Sequence, residues 1–288
     1  LLMERELDVM NDKSLLRRQI HSWKENKESV AYVPTMGSLH EGHISLVRLA
    51  LSHADRVVVS IFINPTQFDR REDFKTYPSS LDLDISKLSD IPVDILFAPN
   101  IETIYPFGAE DATVISEPSL TKKLCGKYRP GHFDGVASVL IRFFNIIQPD
   151  IAVFGQKDYQ QILVVKRLVK DINLPIKILS GPIQREVDGL AMSSRNQFLS
   201  DRERLIAPEF YKFLKNIVTQ IKENNRNFYE LEKESLRELQ AKGFKPEYVK
   251  VRHADNLQEP NNEDRNLVLI AAVKLGKVRL IDNICFSL

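Results

Sequence analysis

Two histidines set three apart, His40 and His43, stand in the string Pro34-Thr35-Met36-Gly37-Ser38-Leu39-His40-Glu41-Gly42-His43. Side chains at that spacing share one face where a helix begins. Backbone N–H groups and the dipole at a helix start favour anions, and two imidazoles above them suit the phosphates of a nucleotide. The plainer readings are an N-cap for Ser38 and a structural or metal role for the histidines. A helical zinc site wants i, i+4 spacing and a third ligand, which this string lacks. Further along, Gly155-Gln156-Lys157-Asp158-Tyr159-Gln160-Gln161 offers Lys157 as a point charge for phosphate. The string Asp188-Gly189-Leu190-Ala191-Met192-Ser193-Ser194-Arg195-Asn196 adds two hydroxyls and a guanidinium. No G-x-S-x-G elbow surrounds either serine, which argues against a serine nucleophile. In Asn64-Pro65-Thr66-Gln67-Phe68, Gln67 provides a donor and an acceptor suited to a small hydroxy acid.

These residues must be held by regular elements. Ser29 to Pro34 and Arg56 to Ile63 read as strands, the latter apolar on both faces, with a helix carrying Ile44, Leu46, Val47, Leu49, Ala50 and Leu51 between them. Further strands are expected at Asp94 to Ala98, Ile151 to Phe154 and Ile176 to Leu179, and helices at Gly135 to Ile147 and Tyr159 to Ile172. Strands alternating with helices predict βαβ units in a parallel, doubly wound, Rossmann-like sheet of the α/β class. Ligands of such sheets lie beyond the carboxyl ends of the strands, so residues just after Val33, Ile63 and Phe154 are where a site is expected. After about Ile183 the pattern changes to charge-rich helices at Asp201 to Asn224 and Tyr229 to Lys242, and short strands at Tyr248 to Arg252, Leu267 to Val273 and Val278 to Ile281. The expected organisation is a nucleotide-binding domain over 1–183 and a smaller α+β, lid-like domain over 184–288.

The string from Pro34 to His43 resembles the H-x-G-H signature of the nucleotidyltransferase superfamily, and in its full length is similar to the pantoate–β-alanine ligase family. Four more clusters carry the same resemblance in order: Asn64 to Phe68; Arg129-Pro130-Gly131-His132-Phe133-Asp134-Gly135; Gly155 to Gln161; and Asp188 to Asn196. Val278-Arg279-Leu280-Ile281-Asp282-Asn283-Ile284 matches a sixth stretch, read as a structural strand. The resemblance implies that Met36, Gly37, Ser38, Leu39, His40, Glu41, Gly42, His43, Gly155, Gln156, Lys157, Asp158, Gln184, Met192, Ser193, Ser194 and Arg195 bind ATP. Of these, His40, His43, Lys157, Ser193, Ser194 and Arg195 would act on the triphosphate. Gln67, Gln161, Arg129 and His132 would meet the substrates, and Asp84 falls where the family has an aspartate associated with Mg²⁺, its plainer reading being a solvated helix carboxylate. Tyr77-Pro78-Ser79-Ser80 departs from the family's Tyr-Pro-Arg-Thr. The implied reaction condenses pantoate with β-alanine at the expense of ATP, in a homodimer.

Composition bounds the remaining function classes. Among 288 residues, 40 Lys and Arg nearly cancel 39 Asp and Glu to give a net charge of +1, which argues against a broad nucleic-acid surface. Two cysteines, Cys125 and Cys285, make no disulfide framework or metal spacing, and a cytoplasmic protein is expected. No apolar run reaches the ~20 residues of a membrane span, and the opening Leu1-Leu2-Met3-Glu4-Arg5-Glu6 is too short and charged for a signal peptide. Two rivals stand beside the ligase: a nucleotidyltransferase acting on a different small acceptor, and a non-catalytic nucleotide sensor or RNA-binding synthetase fragment.

Overall fold

The computed structural model describes residues 7–68, 74, 77, 78, 80–223, 225–261 and 263–288. Ser79, where the sequence departs from the family pattern, lies outside the described residues. The chain divides into two compact units, one of residues 1–156 with 164–182 and one of residues 157–163 with 183–288.

Six strands form a fully parallel sheet in the first unit: β1 (Asp8–Met10), β2 (Val30–Thr35), β3 (Arg56–Ile61), β4 (Ile95–Phe97), β5 (Ile151–Gly155) and β6 (Lys177–Gly181), in the order β1-β4-β3-β2-β5-β6. The helices that matter here are α1 (Lys13–Glu25), α2 (Glu41–Leu51), α3 (Leu81–Ser89), α4 (His132–Ile147) and α5 (Tyr159–Asp171). The boundary between the units falls inside α5. Val57, Val58 and Val59 are all fully buried, as a strand covered on both faces requires. The strand order turns back on itself at β2, which pairs with β3 on one side and β5 on the other. A crevice at the carboxyl ends of β2 and β5 is where a sheet of this kind takes its ligand.

The doubly wound sheet matches the sequence expectation, with differences in detail. β1 and α1, before Ser29, formed no part of the strand and helix pattern read from sequence. β2 runs on through Pro34 to Thr35, because its pairing with β5 covers only Ala31 and Tyr32 and the proline lies beyond it.

In the second unit, β7 (Lys245–His253), β8 (Asn266–Leu275) and β9 (Val278–Ser287) make an antiparallel sheet in that order. These strands run longer than the short ones expected, since full β8–β9 pairing from Asn266–Ser287 to Leu275–Val278 carries polar residues along with apolar ones. The helix expected over Asp201 to Asn224 is broken in two, Asp201–Ile206 and α6 (Glu209–Lys222), with Pro208 at the break. Phe210, Phe213, Leu214, Ile217, Val218 and Ile221 of α6 form one apolar face, which packs with Leu231 and Leu239 of α7 (Phe228–Ala241) against the sheet.

Candidate active site

The loop from β2 to α2 is built around two residues of positive φ, Gly37 at 80° and Ser38 at 52°. A Cβ on Gly37 would stand 3.0 Å from Asp84 Oδ2 and 3.1 Å from Ile61 Cγ2, so both conformation and space require glycine there. Leu39 then drops into the core with Ile44, Val47 and Leu88. His40 is the N-cap of α2, and the two histidines close a reciprocal box: Gly42 N–H donates to His40 Nδ1 at 3.1 Å, and His40 N–H to His43 Nδ1 at 3.3 Å. Their ring centroids are 4.1 Å apart. With both Nδ1 atoms accepting, the neutral rings carry their protons on Nε2.

The backbone of this loop is used internally. Gly37 N–H donates to Thr35 Oγ1 at 3.2 Å, Ser38 N–H to Asp84 Oδ2 at 2.8 Å and Leu39 N–H to Asp84 Oδ1 at 2.7 Å. His43 N–H and Ile44 N–H both donate to the His40 carbonyl. Most main-chain N–H groups of this helix start are thus committed within the protein. Ser38 is not the N-cap.

Asp84, in the first turn of α3, is 1% exposed and both its oxygens receive loop N–H groups. It is neither the solvated carboxylate nor an open metal ligand. The next turn of α3 presents Lys87, whose Nζ donates to the Leu39 carbonyl at 2.5 Å. Among the described residues no group of three or more His, Cys, Asp or Glu side chains is placed to hold a metal ion. The donor set at Asp84 does not fit Mg²⁺.

After β3, Asn64 is 1% exposed and organises the turn Pro65–Gln67. Its Nδ2 donates to Gln67 Oε1 at 2.8 Å and to the Gly135 carbonyl at 3.2 Å, while its Oδ1 accepts from Tyr105 at 2.7 Å. Gln67 Oε1 thus accepts from the Asn64 amide. A Cβ at Gly135 would sit 2.2 Å from the Thr66 carbonyl oxygen, so only glycine lets α4 approach this turn. Arg129 and His132 converge on the same place: Arg129 Nη2 and His132 Nδ1 donate to the Gln67 carbonyl at 3.2 and 2.8 Å, and Arg129 Nη1 donates to His132 Nε2 at 3.1 Å. The structure brings Gln67, Arg129 and His132 together, with the latter two bracing the turn.

Within the second unit, Lys157 Nζ donates to the Met192 carbonyl at 2.9 Å. Burial holds its ammonium below the ordinary lysine value of 10.5; Asp158 opposes that shift, Arg195 adds to it and Asp282 opposes it. Gln184 and Met192 face each other across a hairpin, Met192 N–H donating to the Gln184 carbonyl at 2.9 Å, with Gly189 at φ 94° in its turn. Ser193 Oγ accepts from Arg195 N–H at 3.3 Å and so caps the 3₁₀ turn Ser194–Phe198. Gln161 is half-buried in the first turn of α5. Two residues of β9 that sequence reasoning took as structural hold this cluster. Asp282 grips Arg185 through both oxygens at 2.6 and 2.8 Å, and Asn283 Nδ2 donates to the Lys157 carbonyl at 3.1 Å. Arg185 also donates to the Gly189 carbonyl at 3.1 Å and stacks 3.5 Å from the Tyr211 ring. Their signal was two adjacent polar residues in an apolar strand, each 2% exposed.

The histidines outside these clusters have local partners: His21 pairs with Glu25, His53 Nδ1 contacts the Leu49 carbonyl, and His253 Nδ1 accepts from Asp255 N–H. The family model for pantoate-beta-alanine ligase matches residues 8–285. The chain belongs to the pantoate–β-alanine ligase family. It is 46% identical over 273 residues to pantothenate synthetase of Pseudomonas fluorescens, covering 95% of this chain and 96% of that one. It is 44% identical over 278 residues to pantoate–beta-alanine ligase of Schizosaccharomyces pombe, covering 96% and 98%. Pantothenate synthetase of Thermus thermophilus superposes with a TM-score of 0.88 at 38% identity over 96% of this chain and 99% of that one. Pantoate-beta-alanine ligase of Francisella tularensis, solved as a complex with β-γ ATP and β-alanine, superposes at 0.82 with 35% identity over 96% and 97%. Members of this family are ligases, and the chain is an enzyme of that class. Among the described residues no helix is long and apolar enough to cross a membrane.

Proposed function

We propose that the chain activates (R)-pantoate with ATP to a pantoyl adenylate and transfers the acyl group to β-alanine, giving pantothenate, AMP and pyrophosphate. Beside family membership, the observation that carries this reading is the pair of adjoining imidazoles at the start of α2, their ring centroids 4.1 Å apart and their Nδ1 atoms accepting backbone N–H groups. Pantoate's carboxylate, with a pKa of about 4, is ionised at neutral pH and needs no base. Its oxygen forms a bond to the α-phosphorus as the bond from that phosphorus to the bridging oxygen breaks and pyrophosphate leaves. The amine of β-alanine then attacks the acyl carbon, and AMP departs with the acyl C–O bond. Placing the carboxylate in line and neutralising charge on the phosphates is the work required.

His40, His43, Lys157, Ser193, Ser194 and Arg195 are assigned to the triphosphate, with Met36 to Gly42, Gly155, Gln156, Asp158, Gln184 and Met192 completing the nucleotide's surroundings. The Gln67 amide and Gln161 are assigned to pantoate, with Arg129 and His132 fixing the turn that carries Gln67. ATP enters as its Mg²⁺ complex, so the ion arrives as part of the substrate. We further assign nucleotide and pantoate binding to a domain of residues 1–183, a lid role to 184–288, a homodimeric state and a cytoplasmic location. The two cysteines, which form no disulfide, support a reducing compartment, and the family resemblance supports the dimer.

The decisive assay follows label from pyrophosphate into ATP and the release of AMP, omitting pantoate and β-alanine in turn. Pantoate alone should support exchange, and AMP release should need both substrates. Exchange without pantoate, or AMP release indifferent to β-alanine, sinks the reading in favour of nucleotidyl transfer to another acceptor.

A further inference from the structure

The expected partner of Asp84 is a magnesium ion, and the geometry gives it another task. Both carboxylate oxygens are committed to consecutive backbone N–H groups, Ser38 at 2.8 Å and Leu39 at 2.7 Å. The side chain is 1% exposed, which closes it to an incoming ion. One turn later on α3, Lys87 holds the Leu39 carbonyl, and Leu88 shares the core with Leu39. One short helix thus grips the loop at four points: two N–H groups, one C=O and one side chain. The turned backbone at Gly37 and Ser38, φ 80° and 52°, is what aims those N–H groups at the carboxylate. It also delivers His40 to the N-cap, where it closes the reciprocal box with His43. Without the carboxylate, the N–H groups of Ser38 and Leu39 lose their acceptors, and the hold on the loop falls to Thr35, Lys87 and the packing of Leu39.

We propose that Asp84, assisted by Lys87, is the positioning residue of the paired-histidine loop and not a metal ligand. The proposal rests on the reading that this loop meets the nucleotide. It acts through His40 and His43 on ATP and leaves pantoate recognition alone.

The test uses the full-length enzyme in pantoate-dependent exchange of pyrophosphate into ATP, with three variants, Asp84→Asn, Lys87→Met and His43→Ala, each checked by thermal melting. Asn keeps the shape but offers one acceptor oxygen and turns an NH₂ toward a backbone N–H. Asp84→Asn should raise the KM for ATP roughly ten- to hundredfold with the KM for pantoate and the half-saturating Mg²⁺ concentration unchanged. Lys87→Met should raise the KM for ATP about two- to fivefold. A purely structural role would instead reduce the active fraction and leave every KM in place. A raised Mg²⁺ requirement, with activity regained in excess Mg²⁺, identifies a metal ligand and overturns the proposal, as does a wild-type KM for ATP in Asp84→Asn. If Asp84→Asn does not fold, Lys87→Met decides, and an unchanged KM for ATP there overturns it. His43→Ala is the separate control: wild-type ATP kinetics in that variant would refute the loop's role in nucleotide binding itself.

Discussion

In the first unit the loop that carries His40 and His43 is shaped by backbone hydrogen bonds to a single buried carboxylate, and both imidazoles are oriented by N–H groups donated to their Nδ1 atoms. In the second unit the segment around Lys157 is held by charge: Asp282 on Arg185, Arg185 on Tyr211 and Gly189, Asn283 on the lysine's own carbonyl. The first arrangement fixes direction, since a neutral donor is useful only when aimed. The second fixes a cation where burial disfavours it, which is the more costly task and needs a network around it. Both are assigned to phosphate under the proposed function, one working through geometry and one through charge.

The sharpest way to break this contrast is to remove the charge itself. Lys157→Met should lower the rate of adenylate formation roughly hundred- to thousandfold, measured by pyrophosphate exchange at saturating ATP, whereas an effect confined to the KM for ATP would make Lys157 a mere binding contact. Next in size is the network. Asp282→Asn leaves the half-buried Arg185 without its counter-charge and should destabilise the enzyme by about 2 kcal/mol in denaturant melts. The double variant Arg185→Met with Asp282→Leu should recover part of that loss, and no recovery would mean that shape, not charge, holds this region. Gly37→Ala probes the first unit. Alanine at φ 80° and 3.0 Å from Asp84 should cost about 1–2 kcal/mol and weaken ATP binding, read as a lower melting temperature with a raised KM for ATP.

The smallest effect is in pH. Lys157's ammonium is held below its ordinary value of 10.5, first by burial. The unfolded chain therefore keeps that proton to higher pH than the folded one. The destabilisation is fully present below the folded value, fades as pH rises through it, and is gone above 10.5. Stability should thus climb in the alkaline range just below that value, and Lys157→Met should abolish the climb attributable to this group.

Much of this was legible in sequence because the working residues lie next to glycines just after strands, where local pattern reports backbone course. Gly37 to His43, Asn64 to Gln67 and Gln156 to Gln161 all fall where strands were expected to end. The holding residues were not legible. Asp84 reaches Ser38 across 46 positions, Asp282 reaches Arg185 across 97 and Asn283 reaches Lys157 across 126. Spacing rules read contacts within a turn or a strand, and such distances are fixed only by sheet order and helix packing. The consumption of the loop's N–H groups was hidden for the same reason, since their acceptor comes from α3.

That consumption has a consequence for how the loop can change over time. A phosphate site made of main-chain amides cannot be dismantled by exchanging side chains, because every residue but proline supplies the amide. Here the amides from Gly37 to His40 are committed inward, so under the proposed function the grip would fall to two imidazoles that single-codon changes can replace one at a time. The loop is a rigid mount with exchangeable tips: a lineage could retune what it holds at positions 40 and 43 while Gly37, Asp84 and Lys87 keep the mount itself unaltered.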